Sequence, residues 1–431
     1  WVTVAGAEAA AAPAGQPAAG AGALPADTCG RVVYGGEGTP DRLLVSDLPL
    51  RGGPNLPTRQ MSQAVAFVLR ERGFRAGRFT IGYQSCDDST TQSGIFDAAK
   101  CAANAKAFAA NAKVIGVVGP YNSACALQQI PIANTAPGGG LAMISPTNAD
   151  VGLTRAGPMS PEGGLRALYP TGRRNYARLH PTEGAQGAAD AQLARSLGAR
   201  RVFVLSDGGY GESMAAQFRR AARPLGLTIA GARRWNPAAR SYAGLAFAVA
   251  AARPDAVFVS GLLDTNGGEV IRALRARLAP GVRLISMDGL LPVSKLFAAA
   301  GDAARGVYLS VGGLLAPQLG PEGRNFVSNF AATQPDGSVH RHSVLAAAAA
   351  ATLLDAVAGS DATRAGVTRR MLATQPRRGI LGRFALDANG DIDPSVITIV
   401  RARRGGGSDA VESTDGAAFV RVLRPPRDLL R

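Results

Sequence analysis

The stretch that decides the fold is residues 113–155, which read KVIGVVGPYNSACALQQIPIANTAPGGGLAMISPTNADVGLTR. Its first part, 114–118, is a short apolar run that glycine and proline end, as is typical of a strand buried in a parallel sheet. The polar residues that follow at once are Tyr121, Asn122 and Ser123. They come where such a strand gives way to a helix, so their side chains and the free N–H groups of that helix face one crevice. An anion is favoured at such a helix start.

The same pattern occurs a second time within this stretch. Residues 141–144 predict another buried strand, which Ser145 and Pro146 end. Thr147 and Asn148 then bring a hydroxyl and an amide group to the carboxyl end of that strand. Because the carboxyl ends of neighbouring parallel strands meet at one edge of a sheet, we expect one polar rim there.

Strands alternate with helices along most of the chain. The expected strands lie at 43–45, 79–83, 114–118, 141–144, 201–205, 227–230, 256–260, 283–286, 307–311 and 396–400, with a last short candidate at 418–423. Strands that are separated by helices in this way require right-handed crossovers and therefore parallel sheets. The pattern predicts an α/β protein, and its 431 residues favour two domains over one.

Four motifs, in their order and spacing, resemble those of the type I periplasmic binding proteins of the branched-chain amino acid class. The motifs are VVGPYNSACA at 117–126, AMISPTNADVGLT at 142–154, SDGGYGE at 206–212 and GRFALDANGD at 382–391. The resemblance covers residues 43–400, most of the chain. It implies two doubly wound parallel-sheet lobes joined by a three-segment hinge, with a ligand held between them.

The resemblance and the composition together give the expected domain limits. We expect the first lobe in 29–172 and 313–391, and the second lobe in 173–312 and 392–431. Residues 1–28, mostly alanine, glycine and proline, are expected to form a disordered tether, because such a composition buries too little apolar surface to offset chain entropy. Neither a signal peptide nor a membrane span is visible, so we expect any anchor to precede Trp1.

The charge and the missing motifs bear on the class of protein. The net charge of +16 comes mainly from scattered arginines without a stripe of aromatic residues, so we expect no nucleic-acid partner. No dinucleotide fingerprint, phosphate loop, GxSxG or HExxH occurs. None of the three histidines lies at metal-ligand spacing from a cysteine, and we interpret His180, beside Pro181, as structural. We therefore expect no cofactor, no metal and no enzymatic activity.

All four cysteines fall in the first third of the chain, at positions 29, 86, 101 and 125. An even number confined to one lobe favours disulfides in an oxidising compartment, although small buried thiols are the alternative. Four cysteines allow three pairings. We expect Cys86 with Cys125, because both follow predicted strands at the same edge, and then Cys29 with Cys101.

The resemblance implies a set of ligand-binding residues in the first lobe. Ser123 matches the serine that receives the ligand carboxylate in the family, and a helix N-cap is its structural alternative. Tyr121 and Asn122 flank it. Thr147 and Asn148 fall in the segment that holds the amino-acid head group, although an alignment without gaps places the family's threonine on residue 149.

In the second lobe, Tyr210 matches a family tyrosine that closes over the ligand, with packing against the glycines before it as the alternative. Asp288 occupies the place of the acidic residue that pairs with the ligand ammonium, whereas a turn-capping aspartate is the alternative. Leu262 would make one wall apolar. With an α-amino acid as ligand, the carboxylate would then meet Ser123 and the ammonium Asp288, so that only the closed form satisfies both.

From this we expect an extracytoplasmic solute-binding protein, tethered through its N-terminus. It would capture an amino acid or related amide for an ABC importer, with the permease as its partner, and act as a monomer. The alternative is the ligand-sensing ectodomain of a membrane receptor or regulator, whose partner would be a membrane-anchored output domain.

Overall fold

The computed structural model describes residues 22–51, 57–91, 95–157, 160–404 and 416–430. The strands, in chain order, are β1 (Arg42–Leu48), β2 (Arg75–Ala76), β3 (Phe79–Asp87), β4 (Val114–Val118), β5 (Ala142–Ser145), β6 (Tyr176–Arg178), β7 (Arg201–Ser206), β8 (Thr228–Arg234), β9 (Ala256–Ser260), β10 (Arg283–Met287), β11 (Tyr308–Gly312), β12 (Arg377–Gly379), β13 (Gly382–Leu386), β14 (Ile392–Asp393), β15 (Ile397–Ala402) and β16 (Ala417–Leu423).

The α-helices are α1 (Thr58–Glu71), α2 (Ala98–Ala110), α3 (Ser123–Asn134), α4 (Gly164–Leu168), α5 (Glu183–Ser196), α6 (Tyr210–Ala222), α7 (Ala243–Ala251), α8 (Gly267–Arg275), α9 (Val293–Ala300), α10 (Pro321–Ala331), α11 (Arg341–Ala358) and α12 (Arg364–Met371). Among the described residues, no helix combines the length and the apolar character that a membrane span requires.

The first lobe is built on a six-stranded sheet in the order β2-β3-β1-β4-β5-β6. All its strands are parallel except the short β2, so the ends of β1, β4 and β5 meet at one edge. All five residues of β4 are buried, which agrees with its continuous apolar sequence. The alanine-rich α11 packs against α1, β4 and β5, because its small side chains let the helix approach the sheet closely.

The second lobe is built on a seven-stranded sheet in the order β16-β15-β11-β10-β9-β7-β8. The strands β7 to β11 are parallel to one another, whereas β15 and β16 are antiparallel additions at one edge. Helices α5 to α9 cover this sheet. The expected α/β fold with two lobes is confirmed.

The chain crosses between the two sheets three times, after β6, after β11 and after β14. Strand β6 pairs with β5, so the chain leaves the first sheet only after Arg178, later than residue 173 where we expected the second lobe to begin. The other limits that we gave for the lobes stay predictions.

A buried ion pair ties this crossing to the 382–391 motif. The guanidinium of Arg178, which is fully buried, donates from Nε to Asp391 Oδ1 at 2.7 Å. The Nη1 atom of Arg178 donates to the backbone oxygen of Asp150. Asp387 Oδ1 accepts from the backbone N–H groups of Asn389 and Asp391, which shapes the turn that presents Asp391. The motif therefore belongs to the hinge.

The expected tether of residues 1–28 is wrong for its last part. Leu24 is 5% exposed and packs in the core beside β3, and its backbone N–H donates to Gln84 Oε1 at 2.8 Å. Leu24 and the disulfide from Cys29 to Cys86 in the same strand together anchor the segment. Residues 1–21 lie outside the described residues.

The expected pairing of the cysteines is also wrong. The disulfides join Cys29 to Cys86 and Cys101 to Cys125. The segment that carries Cys29 runs antiparallel beside β3 and forms an isolated bridge with Cys86. Cys101 in α2 faces Cys125 in α3, because these two helices pack against each other.

Peptide mapping of the unreduced protein tests this pairing. We expect cross-linked peptides that contain positions 29 with 86 and 101 with 125, and none that joins 86 to 125. Replacing both Cys101 and Cys125 by alanine should lower the free energy of unfolding by about 3 kcal/mol, because the bond closes a loop of 24 residues. A peptide joining Cys86 to Cys125 would contradict the arrangement of α2 and α3.

Candidate functional site

The polar rim of the first lobe forms where β4 and β5 end. Gly119 has a φ of 138°, and a side chain there would meet the backbone oxygen of Asp47 at 2.5 Å, so the turn after β4 requires glycine. The turn presents Tyr121. Thr147 Oγ1 donates to the backbone oxygen of Tyr121 at 2.8 Å, and Asn148 Nδ2 donates to it at 2.9 Å. The loop after β5 therefore holds the loop after β4 in place.

Asn148 has a structural role in this rim. Its side chain is 1% exposed, its Nδ2 is bonded to backbone oxygens, and its Oδ1 accepts from the hydroxyl of Tyr176 at 2.8 Å. Both amide hydrogens are used within the protein, whereas Oδ1 can accept one more hydrogen bond, so a ligand contact by Asn148 stays a prediction.

Ser123 is the first residue of α3, and the N-cap that we gave as its structural alternative is the preceding Asn122. Its hydroxyl oxygen receives the backbone N–H of Asp150 at 3.4 Å, and its side chain is only partly buried. Asn122 caps the helix without a side-chain hydrogen bond, and its Oδ1 is buried without a partner among the described residues. The first N–H groups of α3 consequently carry partial positive charge at this rim.

Asp207 organises the facing rim of the second lobe, a role that the sequence did not reveal. Its Oδ1 accepts from the backbone N–H groups of Gly209 and Gly211, on both sides of Tyr210 at the start of α6. Its Oδ2 accepts from the backbone N–H of Leu262 at 3.2 Å. One carboxylate thus positions both the tyrosine and the leucine that we expected at the ligand site.

Asp288 lies at the end of β10 and forms an ion pair with the other lobe. Its Oδ2 accepts from Nη2 of Arg341 at 2.6 Å, and its Oδ1 accepts from Nε2 of Gln186 at 3.0 Å. Arg341 begins α11 in the first lobe, and both charged side chains are 9% exposed. Arg341 was not among the residues that we expected at the site. A signal was present, since it is the one arginine in an otherwise apolar helical stretch.

Arg341 has hydrogen-bonding capacity that no described residue uses. Its Nε and Nη1 atoms are buried and have no partner among the described residues. A buried N–H group without an acceptor is costly, more so on a charged group. The arrangement can therefore bind an acceptor from a ligand.

Tyr121 from the first-lobe rim and Tyr210 from the second-lobe rim both lie within electrostatic range of this ion pair. Burial raises the pKa of Tyr121 to about 12 and that of Tyr210 well above its usual value, and both hydroxyls feel the charges of Arg341 and Asp288. Neither hydroxyl has a hydrogen-bond partner in the described part of the chain. The two tyrosines can therefore donate to a ligand from opposite lobes.

All three histidines of the chain lie beside Arg341. Their rings form an edge-to-face series in which His342 contacts His340 at 4.9 Å and His180 at 6.0 Å between centroids, and it also contacts Tyr121. Burial, with the charge of Arg341, lowers the pKa of His180 to about 4, that of His340 to about 3 and that of His342 well below its usual value. These rings are therefore neutral at pH 7.

Two further acids lie on the second-lobe side. Burial raises the pKa of Glu183 to about 7, and the hydroxyl of Ser213 donates a hydrogen bond to its carboxyl group. Burial likewise raises the pKa of Asp190 well above its usual value, and Ser310 donates to it. Asp288 differs from both acids because it pairs with a cation, Arg341. It is therefore the carboxylate that most affects which ligand charge the site favours.

The sequence matches a family model described as periplasmic binding protein over residues 55–406. No curated protein sequence matches the chain. Among solved structures, a leucine binding protein LivK from Thermotoga maritima MSB8 is similar, with a TM-score of 0.67, 20% identity and coverage of 89% of this chain and 99% of that one.

Two other solved structures are similar in fold. A substrate-binding protein of an ABC transporter from Desulfitobacterium hafniense, in complex with Leu, has a TM-score of 0.66 at 21% identity and covers 88% of this chain and 99% of its own. A solute binding protein from R. palustris, in complex with 4-hydroxybenzoate, has a TM-score of 0.68 at 17% identity and covers 90% and 98%. At these identities the similarity shows the fold alone.

The lowered pKa values of the histidines predict how stability depends on pH. The unfolded chain takes up protons on its histidines as the pH falls below about 6.5, whereas the folded chain does so only at much lower pH, so acidification removes stability. Replacing His342 by phenylalanine keeps an aromatic ring and removes the titrating group. Between pH 6.5 and 5 the variant should lose about 2 kcal/mol less unfolding free energy than the wild type.

Urea unfolding at pH 7.5, 6.5, 5.5 and 5.0 measures this difference. Parallel stability profiles for the two proteins would contradict the neutral state of His342.

Proposed function

Because the chain belongs to the periplasmic binding protein family, we propose that it captures a small solute between its two lobes and delivers it to an ABC importer. The family is one of solute-binding proteins rather than enzymes, and membership implies a location outside the cytoplasm. We further propose that the permease of the importer is the partner and that the chain is attached through its N-terminus. This chain would capture the solute, and the partner would transport it.

The observation that carries the proposal is the contact between the lobes at Asp288 and Arg341, with a tyrosine from each lobe beside it. A pair of charges that belongs to two lobes is satisfied only when the lobes are close together. A solute that contacts groups on both sides adds to this preference and shifts the population toward the closed form. Capture needs no chemical step.

Two chemical classes of solute are candidates for this capture. The sequence led us to expect an amino acid or a related amide, with Asp288 receiving the ammonium group. The solved structures of similar fold include complexes with leucine and with 4-hydroxybenzoate, so that both amino acids and aromatic acids are candidates. The bond from Arg341 to Asp288 weighs against a ligand ammonium at this carboxylate.

A second use of the same capture is ligand sensing by a receptor ectodomain, which we keep as the alternative. Uptake of the labelled solute by cells that lack the gene separates the two functions. Delivery to an importer requires that uptake falls and returns with the wild-type gene, whereas a sensor changes transcription or signalling with uptake preserved.

Solute capture predicts a specific effect of two hydroxyl groups. In a thermal-shift screen of amino acids, amides and small carboxylic acids, we expect at least one compound to raise the melting temperature, because a ligand that binds only the folded protein stabilises it. Changing Tyr121 or Tyr210 to phenylalanine should weaken the binding of that compound by about 1 kcal/mol, or fivefold in Kd, as measured by titration calorimetry.

The matched control is Tyr34→Phe, since Tyr34 packs on Phe74 far from the ion pair and its change should leave affinity unaltered. Equal effects at Tyr34 and at the two site tyrosines would contradict the proposed site. A screen without any shift would contradict solute capture itself.

A further inference from the structure

We propose that the ligand is a small carboxylic acid without an ammonium group, and that its carboxylate binds the unused N–H groups of Arg341. The inference rests on the proposed function, since it assumes that a solute is held between the lobes. It names the chemical class of that solute and the residue that reads it.

Most of the Arg341 guanidinium lacks an acceptor. Arg341 is about nine-tenths buried, and the described residues supply an acceptor to Nη2 alone among its guanidinium nitrogens. The guanidinium is a planar donor that matches the geometry of a carboxylate. A ligand carboxylate would supply the acceptors that Nε and Nη1 lack, and each new bond would be charge-assisted and shielded from water.

The existing hydrogen bonds of Asp288 disfavour a ligand ammonium group at this carboxylate. Both oxygens of Asp288 already receive donors, from Gln186 and from Arg341. A ligand ammonium at Asp288 would have to share that carboxylate with the guanidinium at close range, and two cations in a poorly solvated site repel each other strongly. The ammonium half of an amino acid is therefore disfavoured.

Binding of a ligand anion also depends on the balance of charge at the site. Because Asp288 neutralises Arg341, a further anion needs additional positive potential. Two helices of at least 12 residues start at this place with no acidic residue in the first turn, namely α3 at Ser123 and α11 at Arg341 itself, whereas Asp207 already occupies the start of α6. The N-terminus of each carries roughly half a positive charge. Their sum favours one small anion.

Burial shifts two of the surrounding acids toward their neutral form, which weakens their opposition to that anion. It raises the pKa of Glu183 to about 7 and that of Asp190 well above its usual value. The three neighbouring histidines, whose pKa values burial lowers, add no positive charge. Arg341 and the helix starts therefore set the preference.

Matched compounds test the ligand class by titration calorimetry at pH 7.5. 4-Methylpentanoate and leucine differ only by the ammonium group, and benzoate and benzamide differ in the charge of the head group. We expect 4-methylpentanoate to bind at least tenfold more tightly than leucine, and benzoate at least tenfold more tightly than benzamide.

Three variants test the role of Arg341. Asp288→Asn keeps an acceptor for the guanidinium and removes the competing charge, so the affinity for the carboxylates should rise about tenfold. Arg341→Lys keeps the charge and loses the planar donors, so that affinity should fall at least tenfold. The double variant Asp288→Asn/Arg341→Gln leaves no buried charge unpaired, should fold, and should also lose carboxylate binding.

The control is Arg369→Gln, which removes the same charge from the exposed last turn of α12 and should leave affinity unchanged. Leucine binding as tightly as 4-methylpentanoate, benzamide binding as tightly as benzoate, or weaker carboxylate binding by Asp288→Asn would overturn the inference. The proposed function would survive each of these results. If neither acid binds, the inference is wrong, whereas solute capture fails only if the wider screen also gives no shift.

Discussion

The ion pair between Asp288 and Arg341 is the contact on which the account of the site depends. The two charges come from different lobes, and each is largely removed from water. Removing a charge from water costs several kcal/mol, which only a close partner with further hydrogen bonds offsets. The pair thus couples the charge state of the site to the relative position of the lobes. It uses only one nitrogen of the Arg341 guanidinium, so Nε and Nη1 can donate to a ligand.

The hinge makes this contact possible. The buried pair of Arg178 and Asp391 fixes the point where the chain first leaves the first sheet. At the second crossing, Gly312 lies so close to His180 that a side chain at that position would meet the imidazole at 2.5 Å. The hinge strands and the start of α11 are therefore packed together, which brings the charge of Arg341 to the end of β10.

The sequence predicted the alternation of strands and helices because β4 and its neighbours are short, wholly buried and interrupted by glycine and proline. It also placed Ser123, Tyr210 and Asp288 at strand ends, since that follows from chain order alone. It did not identify Arg341, because the start of α11 reaches the site only after the chain has crossed the hinge twice. The disulfide pairing failed for a similar reason: the segment around Cys29 lies along an edge that no periodicity reveals.

The contact between the ligand and Arg341 can be observed directly by NMR of the arginine Nε–H groups in protein labelled with ¹⁵N-arginine. The Arg341 resonance is the one that the Arg341→Lys variant lacks. The account predicts that a carboxylate at saturating concentration moves this resonance strongly downfield, as a new charge-assisted hydrogen bond forms at Nε or on the same guanidinium. An Arg341 resonance that stays in place while the protein becomes saturated would contradict the central claim.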